Sequence, residues 1–303
     1  QAKNNYGVLV DTTAVDLIES GSEHDTERSE ALATAYDKAF DQLMGNASIK
    51  LIILDTLDEK VLAKLKAHLD LAENEQIRRY GVTAVPKTII ESSAIAEYIK
   101  KLDDKRIFVA GPHALVEDGS DADERLLATA LASILSTKTD DPALPTCSCP
   151  VVGFGGVKET VMKSELTALT KAGCTVFIME DGDMVPYRTV TSRTSVDDEE
   201  SNVTIYSDAT TVLIDDYVYD KVSSFIKSNY KRTKNVDRIL DAIRGDINVI
   251  LSETEQLEII ENFNPDLTSV IKDPNDIYGA IMDYTFDVVT PLYTITLTQH
   301  MKL

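Results

Sequence analysis

Short aliphatic runs alternate with amphipathic helical stretches through the first two thirds of this chain, and that alternation restricts the fold more than any other feature. Residues 50–54, 106–110 and 175–179 are β-branched or aliphatic runs closed by polar turn residues, as buried strands are. Between them lie segments with apolar residues at helical spacing. In residues 25–45, Leu32, Ala35, Tyr36, Ala39, Phe40 and Leu43 share one face, Asp25 is placed to cap the start, and Gly45 stands where a helix stops. Residues 59–71, 92–101, 121–135 and 164–172 repeat the pattern, the last closed by Gly173. The expected fold class is therefore α/β, a mixed sheet layered with helices.

Two breaks divide the chain. Residues 137–150 contain Pro142, Pro145 and Pro150 and read as a loop within the α/β unit. The acidic, serine-rich run at 195–202 reads as a solvated loop, and the boundary is placed there: an α/β domain over 1–195 and a smaller α+β domain over 196–303. In the second domain residues 216–230 and 235–251 read as helices, and Ser252-Glu253-Thr254-Glu255 offers a capping box for a short third one. After the turn residues Asp273-Pro274-Asn275-Asp276, residues 278–289 read as a strand that Thr290-Pro291 breaks. Residues 292–303 then alternate, with Tyr293, Ile295, Leu297, Gln299, Met301 and Leu303 on one face and Leu292, Thr294, Thr296, Thr298, His300 and Lys302 on the other. A terminal strand of this kind can pair in its own sheet or add to that of a neighbouring subunit. At the other end, residues 6–10 read as a short strand, with room for an arm ahead of Gln1.

Charge narrows the partners. The 303 residues include 51 acidic and 30 basic ones, for a net charge of -21, which disfavours phosphate backbones and anionic lipid, so neither nucleic acid nor membrane is expected as a partner. No apolar run reaches the length of a membrane span and no leader pattern opens the chain. Against the acidic background Lys221, Lys227, Lys231, Arg232, Lys234, Arg238 and Arg244 gather within one stretch, either as a solvated helix face or as a docking surface for an acidic partner, which could be another copy of this same acidic chain or a tube beneath it.

Catalytic constellations are thin. Cys147, Cys149 and Cys174 are an odd count without further ligands at zinc spacing. His24, His68, His113 and His300 are scattered and lie in no metal or nucleophile motif. Gly153-Phe154-Gly155-Gly156 precedes Lys158 but lacks the spacing of a phosphate loop, and reads as a turn into a helix. Glu180-Asp181-Gly182-Asp183 reads as a β-turn rather than a calcium loop. No cofactor, metal or catalytic residue is expected. An α/β enzyme using Cys174 or the Gly153–Gly156 segment, and a monomeric binding module, stay open as alternatives.

The order of elements in the second half carries a resemblance. A helix ending in Ala172-Gly173, the strand after it, a turn at Glu180-Asp181-Gly182, and the segment Val185-Pro186-Tyr187-Arg188-Thr189-Val190-Thr191-Ser192 together resemble the contractile tail sheath proteins of phages and bacteriocin-like particles. The run Arg106-Ile107-Phe108-Val109-Ala110-Gly111-Pro112 is similar to a core strand of that family, as is the closing pair of strands at 278–303. Pro186-Tyr187 stands where the family often carries a tryptophan-glycine pair, and the likeness covers roughly residues 100–303, with 1–100 unmatched or a decoration. The resemblance implies a structural subunit and no enzyme, in a helical homo-polymer around an inner tail tube, with baseplate and tail terminator proteins as further partners. It implies a location in the virion tail or contractile particle, assembled in the bacterial cytoplasm, and a C-terminal strand exchanged between subunits.

Overall fold

The computed structural model describes residues 10–18, 24–139, 141–147, 149–158, 161–195 and 205–293. The chain forms two compact units, Gln1–Thr137 with Thr146–Ala209, and Lys138–Pro145 with Thr210–Leu303. The division thus falls after the acidic run, of which residues 196–202 lie outside those described, and part of the proline-rich loop joins the second unit through Ala143, which packs on that unit's core. The 6–10 strand expectation likewise lies outside the described residues except for Val10.

The first unit is built on a five-stranded sheet in the order β1 (Leu51–Ile53), β2 (Tyr80–Ala84), β3 (Ile107–Gly111), β6 (Cys174–Glu180) and β7 (Asp183–Pro186). The first four strands run parallel and β7 returns antiparallel to β6, so the sheet is mixed, as expected. Between β3 and β6 in sequence, β4 (Ala114–Val116) pairs with β5 (Phe154–Val157) in a separate antiparallel ribbon. The crossovers are helical, as parallel pairing requires: α3 (Glu59–Asn74) links β1 to β2, and α4 (Ser92–Leu102) links β2 to β3. The helix α5 (Glu124–Ser136) and α6 (Lys163–Lys171) precede β6. The short α1 (Thr13–Asp16) and the long α2 (Asp25–Met44) come before β1.

Alternation along the strands assigns the two faces. Ile107 and Val109 of β3, with Cys174 and Val176 of β6, enter a core closed by α2, α3, α4 and α6 through Phe40, Leu65, Ile99 and Leu169. Phe108 and Ala110 point the other way, to the face that α5 covers along β1, β2 and β3. Tyr80 of β2 meets Phe108 edge-on there, with ring centroids 5.7 Å apart.

β2 escapes sequence reading because it is buried on both faces and contains Gly81, which looks like a strand breaker. The structure gives the glycine a reason: a Cβ there would stand 2.7 Å from Leu65 Cδ2 and 3.3 Å from Leu69 Cδ1, so α3 lies directly on the strand backbone. Gly173, after α6, has φ +87, and a Cβ would sit 2.8 Å from the carbonyl oxygen of Thr191. It is both the left-handed stop of the helix and the place where the chain passes under residues 191–192.

Several local expectations are corrected. The residue capping α2 is His24, with no side-chain cap bond, and Asp25 is the first helical residue. Asp58 and Asp123 do cap, accepting from Lys60 N and Arg125 N at 2.9 Å each. Phe154–Val157 is a strand and not a turn into a helix. The Glu180–Asp183 turn is as expected: Asp181 (φ 50) and Gly182 (φ 96) occupy the two left-handed positions of a tight hairpin.

The second unit packs α7 (Ala209–Asn229) with α8 (Asp237–Gln256). Ile214, Val218 and Val222 from α7 meet Leu240, Ile243, Ile247 and Leu251 from α8, at the one-turn spacing that puts a stripe on each helix. α7 begins earlier than its charges suggest, because Asp216, which reads as a first-turn acid, is 4% exposed within the helix. No third helix starts at Ser252. Thr254 is fully buried and donates to the Ile250 carbonyl at 2.7 Å, so α8 runs through the supposed capping box to Gln256. The expected strand at 278–289 is two short ones: β10 (Ala280–Asp283) pairs with β9 (Ser269–Lys272), and β11 (Asp287–Val288) pairs with β8 (Ile260–Glu261). Both pairs are antiparallel. Tyr284 and Phe286 stack between the two short strands, 6.3 Å apart.

Candidate assembly surfaces

The residues that sequence reading weighed for chemistry fold into structural roles. Cys174 is fully buried, and burial pushes its thiol up to about 12, which keeps it protonated and out of reach of a substrate. His68 is 4% exposed, stacks on Phe40 with centroids 5.1 Å apart, and sits with Nε2 2.9 Å from a guanidinium nitrogen of Arg79. Burial, and then the neighbouring Arg79, bring its pKa down to about 4, so it stays neutral. Arg79 itself is buried and donates to the carbonyls of Leu43 and Asn46 at 2.6 Å each and of Ile49 at 3.1 Å, tying the end of α2 to β2. His113 Nε2 is buried without a hydrogen-bond partner, and His24 approaches Glu27 at 3.8 Å. Among the described residues no group of three or more His, Cys, Asp or Glu side chains is arranged to hold a metal, and no helix is long and apolar enough to cross a membrane.

A charged cleft lined by Lys66, Asp70, Glu73, Asp104, Lys105 and Tyr206 is occupied by its own ion pairs. Glu73 receives Arg106 Nε at 3.1 Å, Lys105 Nζ at 2.9 Å and Arg78 at 2.9 Å. Burial alone would raise its pKa, but the hydrogen bonds and charge of Arg106 and Lys105 outweigh it and hold the carboxyl at about 2. Lys66 Nζ donates to the carbonyls of Leu102 and Asp103.

The Arg188–Ser192 segment is where local sequence and tertiary structure meet most closely. Thr189, Thr191 and Ser192 are fully buried. Thr146 Oγ1 donates to Thr189 Oγ1 at 2.6 Å, Thr191 Oγ1 to the Tyr206 carbonyl at 2.6 Å, and Ser192 Oγ to the Asp104 carbonyl at 3.0 Å. Arg188 forks onto Asp208 Oδ2 at 3.0 and 2.8 Å. The segment bridges to β3 at Phe108, with Ser192 N donating to the Ile107 carbonyl at 2.7 Å. A run rich in Thr and Ser can be buried here because each hydroxyl finds a carbonyl or hydroxyl partner.

Of the candidate inter-subunit strand, Leu292 and Tyr293 are described and belong to no strand, Leu292 being exposed. Ile295, Leu297, Gln299, Met301 and Leu303 lie outside the described residues, as does His300. The basic residues spread along the second unit's two helices and concentrate at their connection. Lys227 is in the last turn of α7, Lys231, Arg232 and Lys234 are on the connection, and Arg238 is in the first turn of α8, all exposed. Lys221 stands apart, its ammonium 5.0 Å from the Tyr217 ring centre, and Arg244 turns to Asp241 at 3.5 Å. The reading from sequence missed what lies beside this tip. Asn235 Nδ2 donates to the carbonyls of Ile277 and Gly279 at 3.3 and 3.0 Å, which fastens the β9–β10 turn to it. Large apolar residues within that turn, ahead of Gly279, were the available signal.

Comparison with known proteins bears on these surfaces. Residues 201–302 match the family model described as the phage tail sheath C-terminal domain. The fold is similar to that of a sheath tail protein from Listeria innocua, with a TM-score of 0.68 at 13% identity, covering 84% of this chain and 57% of that one. It is similar to a sheath tail protein from Desulfitobacterium hafniense, at 0.61 and 13%, covering 83% of this chain and 60% of the other. The anti-feeding prophage helical sheath in its contracted state gives 0.64 at 14% identity over 94% of this chain and 76% of that one. The chain thus spans 57–60% of the length of the two bacterial sheath tail proteins. No curated protein matches at the sequence level.

Proposed function

We propose that this chain, whose C-terminal third matches the phage tail sheath C-terminal domain, is a structural subunit of a contractile sheath. It polymerises helically around an inner tube and shortens to drive that tube through a target envelope. The observation that carries the reading is the family match over residues 201–302. The likeness of the fold to sheath proteins over 83–94% of the chain supports it. The baseplate, the inner tube and the terminator of the tail are the further partners on this reading, and the particle is assembled in the host cytoplasm. Contraction needs no bound nucleotide if the extended array is a metastable state that relaxes to one burying more complementary surface. The subunit accordingly does no covalent chemistry, in keeping with the burial of Cys174 and the strand at Phe154–Val157.

Strand exchange is the link proposed between subunits, supported by the two-residue alternation of Leu292, Tyr293, Ile295, Leu297, Gln299, Met301 and Leu303 with the threonines between them. Main-chain pairing of this kind survives while subunit bodies swing about short hinges. Negative-stain imaging of the full chain tests the function: tubes or rings are expected, whereas a monodisperse monomer with a measurable hydrolytic turnover overturns it. Deleting residues 292–303 should abolish tubes and leave the circular dichroism of a folded chain. Tubes from the truncated chain sink the exchange.

A further inference from the structure

We propose that two exposed patches of opposite charge, one on each unit, dock on each other between copies of this chain and join them head to tail. This rests on the polymer reading above. The first patch is the tip of the α7–α8 pair with the β9–β10 turn. Ile277 and Tyr278 stand out at 78% and 86% exposure, and Asn235 holds their turn against a connection that presents Lys231, Arg232, Lys234 and Arg238 to solvent. Asp276 and Asp273 stand in the same turn and Asp237 pairs with Lys272 at 2.7 Å, so this is an apolar centre whose rim carries an excess of basic over acidic groups.

The second patch is the β6–β7 turn. Glu180 and Asp183 pair across it with Asp181 between them, all exposed. Val151 N donates to the Met184 carbonyl at 2.9 Å, which brings the next residue, Val152, beside the turn at 92% exposure, and Met179 is 42% exposed. This is an apolar centre with an acidic rim.

A single exposed apolar side chain is ordinary. Two apolar centres with rims of opposite sign on one chain are complementary, because opposed rims steer the encounter and fix its register while the centres supply buried area. The basic rim also stands against the rest of the chain. Residues 221–244 hold seven basic and two acidic residues, and the remainder holds 23 basic and 49 acidic, so a second copy is an acidic partner. Because the patches differ, the contact is heterologous: each copy offers one and accepts the other, and repetition yields a ring or an open helical array.

The test is cross-linking between copies, in a background with Cys147→Ser and Cys149→Ser and with the buried Cys174 left in place. One preparation carries Tyr278→Cys, the other Val152→Cys, and the two are mixed with a short bismaleimide. Heterodimers should exceed both homodimers and fall by roughly tenfold when Lys231, Arg232 and Lys234 are reversed to Glu, since like-charge contact is costly. Changing Asp181 and Asp183 to Lys in the other copy should restore them. Absence of excess heterodimer, or a charge reversal without loss, or a swap without rescue, overturns the contact and leaves the basic tip for some other acidic protein. Imaging of the same mixtures separates the two readings. Tubes without the cross-link overturn the contact and keep the polymer, and the cross-link without tubes or rings supports the contact and overturns the polymer.

Discussion

The two units solve burial differently. In the first, a five-stranded sheet is covered on both faces, so that Phe108, Val109 and Ala110 are fully buried, and even its polar groups, Thr189, Thr191 and Ser192, are paired inside. In the second, one helix pair shelters two separate ribbons of two strands each, and such ribbons cannot hide both faces. Val270 and Met282 turn inward to the core, while the directly opposed pair Ile271 and Ile281 stays 53% and 42% exposed. The first unit covers the faces of its main sheet and exposes apolar residues such as Val152 and Met179 at its turns, whereas the second leaves a directly opposed apolar pair of a ribbon outside, which suits that face to being covered by others.

The largest effect that would break this contrast lies in the first unit. Phe108→Ala removes a fully buried ring that meets Tyr80 on the face covered by α5 and should cost about 3–5 kcal/mol, read as a lower urea midpoint of the full chain. A loss comparable to that of a surface substitution would show the sheet to be loosely packed. A second effect depends on pH. The folded chain holds His68 at about 4, below its ordinary value, so the unfolded chain takes up a proton first as pH falls. Stability is therefore full above about pH 6.5 and declines toward pH 4, by about 3 kcal/mol in all. The carboxylate of Glu73, held at about 2, contributes its own loss below its ordinary range, at lower pH. Urea midpoints through the His68 window should slope in the parent and flatten in His68→Gln, and an equal slope in both assigns the effect elsewhere.

Gly81→Ala is a smaller probe. Its methyl would meet the flexible end of Leu65, so a cost of about 1–3 kcal/mol is expected, and pairing it with Leu65→Val should recover part of that. No loss would mean that α3 rides higher over β2. The smallest stability effect belongs to the second unit. Ile271→Ser with Ile281→Ser should move the midpoint by no more than about 1 kcal/mol while reducing sedimentable assembly at equal concentration. A large destabilisation would place that pair in the unit's own core, and unchanged assembly would leave the ribbon face uncovered in the polymer.

Much of this was legible in the sequence, because helix and strand periodicity and turn chemistry are local. The stripe on α2, the strands β1, β3 and β6, the Glu180–Asp183 hairpin turn and the turn at Asp273–Asp276 follow from residues within a few positions of one another. The clustering of Lys227, Lys231, Arg232, Lys234 and Arg238 at one tip also follows, since a short connection between two helices keeps neighbours in sequence close in space. What the sequence could not decide depends on partners far along the chain. Gly81 belongs to a buried strand because α3 lies upon it, Arg79 is buried because carbonyls at the C-terminal end of α2 accept from it, and Thr191 is in the interior because Tyr206 offers a carbonyl. The run at Ser252–Glu255 satisfies the local rule for a helix start, yet α8 continues through it, because burying Leu251 and Thr254 against the core stabilises the helical path over the capped one. Local propensity differs by tenths of a kcal/mol between such choices, and the burial of one large apolar side chain, worth about 1.5–3 kcal/mol, overrides it.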